Sequence, residues 1–275
     1  MVSVLMTAYN REKYIAEAIE SVLASSYSNF ELIIVDDCST DGTVEIARKY
    51  IEKDNRIKLY INETNLGDYP NRNRIAKLAK AKFITYVDSD DIIYPYTLRK
   101  MVDASIQFPD AALYISVRSI DEEPETYQYL SPKQAYDFHF KKCGFLETGP
   151  LGILINKEIF DLVGGFSGKR MIGDTELWLK IAKKFSVVRL HKNLVFWRQH
   201  PEQEYRVGRK FYLIDSLQMY KDVLVNDISP LGLEEGIKFY KKLKMQRYLI
   251  LFKDLIKNWR IKEFYNYFKL IYKLS

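Results

Sequence analysis

Residues 83–91, Phe-Ile-Thr-Tyr-Val-Asp-Ser-Asp-Asp, constrain the fold more than any other stretch. The first five are β-branched or aromatic and read as a buried strand, which runs straight into Asp88, Asp90 and Asp91. Asp88 and Asp90 are two positions apart, so in an extended backbone they project to the same side. Carboxylates that converge in this way repel one another unless a cation lies between them. Hard oxygen ligands suit Mg²⁺ or Mn²⁺, ions that usually share their shell with phosphate oxygens. The stretch therefore predicts either a divalent metal holding a diphosphate or an acidic turn capping the next helix.

The preceding chain supplies the frame. Strand-like runs at 2–6, 30–35 and 57–61 alternate with helical spacing at 12–24, 44–53 and 73–81, with a loop over 62–67. This alternation predicts βαβ units and a parallel sheet, and such sheets bind ligands outside the carboxyl ends of their strands. The second strand also ends in carboxylates, Asp36 and Asp37, and the first in Thr7-Ala8-Tyr9. Three polar strand ends on one rim form a pattern that a single acidic turn does not. No glycine-rich dinucleotide fingerprint follows the first strand and no P-loop occurs, so those nucleotide sites are unsupported. Further on, the pattern predicts a helix over 95–110, a strand over 111–117 and a polar irregular region over 119–145. A strand over 151–155 and a short helix over 157–163 follow, ended by Gly164-Gly165-Phe166. Gly173-Asp174 precedes a helix over 175–185, where Asp174 is a ready N-cap and Trp178 a core residue. Short strands come at 187–190 and 194–197.

From residue 209 onward the spacing is helical, with stripes at Leu213, Leu217, Tyr220 and Leu224, at Tyr248, Phe252, Leu255 and Trp259, and at Ile261, Phe264, Phe268 and Ile271. Charge is segregated as well. Residues 233–275 hold eleven Lys or Arg against four acids, a net of +7, while the other 232 residues carry 31 basic and 32 acidic side chains, a net of −1. Basic residues among aromatics suit an interfacial helix that meets anionic lipid. The alternative is a helix hairpin that packs on the preceding domain or forms a homodimer. No nucleic-acid-binding motif accompanies the charge. The two cysteines, Cys38 and Cys143, lack metal spacing and argue for a reducing compartment. The N-terminus reads as a strand and not a signal peptide, and no apolar run of spanning length occurs.

Several of these segments together resemble the successive signatures of family-2 glycosyltransferases. They are residues 2–10, residues 35–43 around Asp36-Asp37, Asn65-Leu66-Gly67, Asp88-Ser89-Asp90-Asp91, Gly164-Gly165-Phe166 and Gly173-Asp174, in order over roughly residues 1–200. The resemblance implies a GT-A (Rossmann-like) α/β fold: a mixed, mainly parallel sheet flanked by helices, here with a C-terminal helical extension. It implies a domain over 1–205, divided into a nucleotide-binding half (1–100) and an acceptor half (101–205), followed by the extension over 206–275. The activity implied is inverting transfer of one sugar from a nucleotide-sugar donor, a UDP-sugar favoured, with Mn²⁺ or Mg²⁺. A glycan or lipid-linked acceptor completes what the resemblance implies; the cysteine usage adds a cytoplasmic setting, and the basic tail the option of peripheral contact at the inner membrane face.

Carried over by position, Thr7, Ala8 and Tyr9 match the segment that cradles the nucleoside, and Asp37, with Asp36 beside it, matches the acid that bonds the base. Arg72 falls in an Arg-Asn pair that assists the nucleotide. Asp88 serves the ribose and Asp90 the metal, with Ser89 among the nucleotide contacts and Asp88 also within metal reach. Asp174 matches the catalytic base, and His200 a late His near the diphosphate or metal. Asn71 and Arg74-Ile75 replace the usual small residue and Gly around the Arg-Asn pair, Gly173 stands where Glu is common, and Cys38 where Gly or Asn is. A sugar nucleotidyltransferase and a degenerate nucleotide-sugar-binding module are the alternatives.

Overall fold

The computed structural model describes residues 1–117, 124–200, 212, 215–227 and 229–258. The chain divides into two compact units, Met1–Gln199 and His200–Ser275.

The first unit is built on an eight-stranded sheet of order β3-β2-β1-β4-β8-β6-β9-β7. Strands β1 (Val2–Ala8), β2 (Phe30–Asp36), β3 (Ile57–Ile61) and β4 (Phe83–Tyr86) are parallel. Their connections carry helices α1 (Ile15–Leu23), α2 (Thr43–Ile51) and α3 (Asp68–Leu78). Strands β1 and β2 are buried on both faces and read as nearly continuous apolar runs for that reason. Ser3 and Glu31 interrupt them, and they satisfy each other: the Ser3 hydroxyl donates to Glu31 Oε1 (2.6 Å), and Lys58 Nζ reaches Glu31 Oε2 (2.6 Å). Successive strands step outward from β1 to β3, and then β4 returns to the other side of β1. The strand order therefore reverses between β1 and β4, which opens a crevice at their carboxyl ends.

The second half of the sheet is mixed. β8 (Ile153–Asn156) is antiparallel to β4 and to β6 (Leu113–Ser116), β9 (Val187–Leu190) is parallel to β6, and β7 (Gln128–Leu130) closes the edge antiparallel to β9. A separate two-stranded ribbon pairs β5 (Ile92–Ile93) with β10 (Val195–Phe196). Helices α4 (Thr97–Gln107), α5 (Pro132–Phe138), α6 (Lys157–Leu162) and α7 (Gly173–Ala182) complete the unit.

Three expectations need correction. α3 begins at Asp68, five residues before the predicted helix, because the face it turns to the sheet is polar and hides the usual apolar spacing. The region 119–145 is not wholly irregular: it holds β7, α5 and a π-helical turn, His139–Cys143. α5 starts with a capping box in which Ser131 and Gln134 satisfy each other's backbone N–H, with Pro132 at N1. Residues 118–123 lie outside the described residues. Finally, Asp174 is not an N-cap: Ile172 holds that position with no side-chain cap, and Asp174 sits inside the first turn of α7. Trp178 is in the core as predicted, wholly buried, with its indole N–H donating to the Thr148 carbonyl (2.9 Å).

In the second unit, Leu217, Tyr220 and Leu224 are buried as their stripe predicts, and a long helix, Leu233–Asn258, follows. The Leu213 member of the first stripe, Trp259 of the second and the third helical stripe lie outside the described residues. No helix of the described residues is long and apolar enough to cross a membrane.

Candidate active site

Register places the three acidic or polar strand ends level with one another. Ala8 pairs with Asp36, Asp36 with Ile61, and the Val87 N–H donates to the Leu5 carbonyl (3.0 Å), so Asp88 emerges beside Thr7. Thr7 is half-buried, Ala8 buried and Tyr9 exposed. The buried Asp36 accepts from the backbone N–H of Ser39 (2.8 Å) and from its hydroxyl (2.5 Å), which tightens the turn after β2. Asp37 accepts from Asn62 Nδ2 (2.6 Å) and from the N–H groups of Leu66 (2.8 Å) and Gly67 (2.9 Å). It ties the loop before α3 to the strand end. Cys38, which follows Asp37, has φ +68°, a left-handed conformation that Gly or Asn takes at lower cost.

Helix α3 carries the charge hub. Arg72, 7% exposed, spans two carboxylates: its Nε donates to Asp68 Oδ1 (2.6 Å), and Nη1 and Nη2 grip Asp88 Oδ1 and Oδ2 (2.7 and 3.0 Å). The fork geometry of the guanidinium matches a carboxylate in this way. The Tyr86 hydroxyl donates to the Arg72 carbonyl (2.9 Å), and its ring lies under the guanidinium. Burial disfavours the Arg72 charge, but Asp88, Asp68 and Asp174 outweigh it and hold the group protonated well above its ordinary range.

Asp174 faces this hub from α7. Its Oδ1 is buried and has no hydrogen-bond donor. Burial pushes its carboxyl up to about 7; Arg72 opposes the shift, Asp68 and Asp88 add to it, and a hydrogen bond from Tyr69 lowers it. A carboxyl poised there can take a proton near neutral pH.

Asp90 and Asp91 diverge from Asp88. Asp90 Oδ2 accepts from Arg11 Nε (2.9 Å), and the same guanidinium donates through Nη1 to the carbonyls of Tyr9 and Asn10 (3.1 Å each). The buried Asp91 accepts from the Arg198 backbone N–H (3.0 Å), and Arg198 Nε donates to the Asp90 carbonyl (3.0 Å). Burial, then Asp88 and Asp90, push Asp91 up to about 8, while the Arg198 N–H works the other way. Asp88 and Asp90 thus answer to different arginines, Asp88 to Arg72 and Asp90 to Arg11. Among the described residues no three His, Cys, Asp or Glu side chains gather at metal-binding distances. A divalent cation at Asp90 would have to complete its shell with ligand oxygens such as those of a diphosphate. Ser89 is buried; His200 is buried too and opens the second unit.

Of the residues singled out from sequence, the structure brings together the strand ends, Arg72 and Asp174. Sequence reasoning missed Arg11, Asp68, Tyr69 and Arg198 as parts of the network. Asp68 and Arg72 are an i,i+4 acid–base pair, a spacing that was available to find. Nothing in the sequence linked Arg11 to a carboxylate 79 positions away.

Paired carboxylates, a buried arginine and a raised carboxyl thus gather near the carboxyl ends of β1 and β4. The profile of glycosyl transferase family 2 matches residues 3–170, and the chain belongs to that family. Glycosyltransferase GlyG of Streptococcus pneumoniae is 30% identical over 215 residues, covering 72% of this chain and 71% of that protein. The Escherichia coli UDP-Glc:alpha-D-GlcNAc-diphosphoundecaprenol beta-1,3-glucosyltransferase WfgD is 29% identical over 214 residues, 77% of this chain and 81% of that one. Among solved structures, residues 1–349 of S. aureus TarS in complex with UDP-GlcNAc align with a TM-score of 0.68 at 22% identity, covering 90% of this chain and 72% of that one. Mannosyltransferase PcManGT from Pyrobaculum calidifontis, in complex with GDP-Man and Mn²⁺, aligns at 0.63 and 15% identity, covering 98% and 83%. The fold expectation is met, and the family decides for a glycosyltransferase over a nucleotidyltransferase.

Proposed function

We propose that the chain moves one sugar, with inversion, from a nucleotide-sugar donor to a hydroxyl of a glycan or lipid-linked acceptor during glycan assembly. A UDP-sugar is the favoured donor: the E. coli relative is named for UDP-Glc and the S. aureus structure holds UDP-GlcNAc. The nucleoside lies along Thr7, Ala8 and Tyr9 at the end of β1, within reach of Asp36, Asp37, Ser89 and the Arg72–Asp88 pair. Asp90 is the protein ligand to Mn²⁺ or Mg²⁺, Asp88 being the further ligand proposed from sequence within the same unit. A bound cation neutralises charge developing on the leaving diphosphate.

The acceptor oxygen forms a bond to the anomeric carbon as the bond from that carbon to the diphosphate oxygen breaks. The electron pair leaves with the nucleoside diphosphate. The acceptor proton passes to Asp174, whose unpartnered Oδ1 is the observation that carries this assignment. No covalent enzyme intermediate is required. Asp174→Asn should keep affinity for a nucleoside diphosphate with Mn²⁺ and lose transfer by about 10²–10⁴-fold. Wild-type turnover by that variant would remove Asp174 as the base. A thermal-shift screen of UDP-glucose, UDP-N-acetylglucosamine and GDP-mannose with Mn²⁺ selects the donor for the assay.

A further inference from the structure

Asp174 is reached from α3 by one side chain that the proposed chemistry does not use. Tyr69 is 6% exposed and precedes Arg72 by three residues, on the same side of the helix. Its ring stacks on Phe166 (centroids 5.2 Å apart, planes at 27°). It also lies directly against Gly173: a Cβ at that position would come within 2.8 Å of the ring. The only side chain that leaves this space open is hydrogen, so Gly173 is a notch that receives Tyr69. The phenol thereby sits at the start of α7, with its hydroxyl beside the Asp174 carboxyl and backbone N–H.

One turn further along α3, Asn73 grips the same segment. Its Nδ2 donates to the Phe166 carbonyl (2.8 Å) and its Oδ1 accepts from the Phe166 N–H (3.0 Å). Tyr69 and Asn73, four residues apart, thus hold both ends of the stretch from Phe166 to Asp174. The helix that carries Arg72 also sets where the base stands.

We infer that Tyr69 is a positioning residue for Asp174, with Gly173 as its receiving notch: the phenol fixes the carboxyl's rotamer and hydrogen-bonds one side of it, leaving Oδ1 for the acceptor hydroxyl. This rests on the assignment of Asp174 as base. The charged and titratable groups facing that carboxyl are Asp68, Tyr69 and Arg72 from α3, Tyr86 at the end of β4, and Asp88 just beyond it. Of these, Tyr69 alone packs on the backbone of the base's own turn.

Tyr69→Phe keeps the ring against Gly173 and Phe166 and removes only the hydroxyl. The Asp174 carboxyl is read directly by ¹³C NMR of aspartate-labelled protein, its resonance assigned by its loss in Asp174→Asn. Loss of a hydrogen bond to the carboxylate should raise its midpoint by about one pH unit. Turnover is measured as nucleoside diphosphate release with water as acceptor, from the donor that the thermal-shift screen selects. It should fall about tenfold or more in kcat at unchanged KM, with the acid limb moved up by the same interval. Gly173→Ala, which displaces the ring, should show the same loss, and the double variant no more than either alone. A Tyr69→Phe midpoint and kcat equal to wild type would overturn the inference while leaving Asp174 as base. An active Asp174→Asn would instead remove the assignment beneath it.

Discussion

Asp174 couples function to stability through one carboxyl. Its folded-state value of about 7 lies above the ordinary carboxylate range, so the folded protein holds that proton more tightly than the unfolded chain does. The group's stabilising contribution is complete below about pH 4 and is lost as pH rises towards 7. With Asp174 as the proposed base, catalysis runs the opposite way, since that base must be unprotonated; kcat/KM should climb with pH through about 7 and lose that limb in Asp174→Asn. The same substitution should raise stability at pH 8 by on the order of 1–3 kcal/mol, shrinking towards pH 5, as urea denaturation at the two pH values would show. A variant equally stable as wild type at pH 8 would contradict the burial argument. Cys38 presents a second local cost. With φ +68° it occupies a conformation disfavoured for a side chain with a Cβ, so Cys38→Gly should stabilise by about 1 kcal/mol in urea titration.

Helix α3 shows what the sequence could and could not disclose. The parallel strands were legible because β1 and β2 are buried on both faces and their apolar runs end abruptly in polar residues. The start of α3 was not, because its inward face there presents Asn71 and Arg72, buried through hydrogen bonds and ion pairs rather than apolar contact. Pro70 stands in its first turn, where a missing N–H costs nothing, yet it reads as a breaker in the sequence. α5 was missed for a different reason: its Ser131-Pro132-Lys133-Gln134 start is a legible capping signal, obscured by the polar residues around it. The site followed the same division. Residues at strand ends could be placed, but Tyr69, Arg11 and Arg198 act across distances that no local pattern encodes. α3 also yields a test at its own level. The paired hydrogen bonds of Asn73 to Phe166 leave two buried backbone groups without partners when removed, so Asn73→Ala should cost about 1–3 kcal/mol in chemical denaturation. Gly165→Ala should be at least as harmful: φ is +65°, and the new Cβ would stand 2.5 Å from Asn73 Oδ1.

The charge of the molecule is divided as its two compact units are. The basic excess lies in the second, where the long helix Leu233–Asn258 exposes Met245 (59%), Leu249 (51%) and Ile250 (43%). Lys241, Met245 and Leu249 recur at four-residue spacing and therefore share one face, with Lys242 beside them. An apolar strip flanked by lysines is the composition of a helix that lies in a membrane interface, each lysine near an anionic surface contributing about 1 kcal/mol. A solvated helix would show the same lysines but would not need the apolar strip. The two cases separate by co-sedimentation of the full chain with vesicles of phosphatidylcholine alone or with anionic phosphatidylglycerol. Interfacial contact predicts binding to the anionic vesicles only, weakened by 0.5 M salt as screening shortens to a few ångströms. Lys241→Glu with Lys242→Glu should lower the partition constant by at least tenfold, since two attractive charges become repulsive ones. Met245→Ser with Leu249→Ser should weaken it further without changing the salt dependence. Equal sedimentation of wild type with both vesicle types would reject the interfacial role and leave the strip as ordinary helix surface.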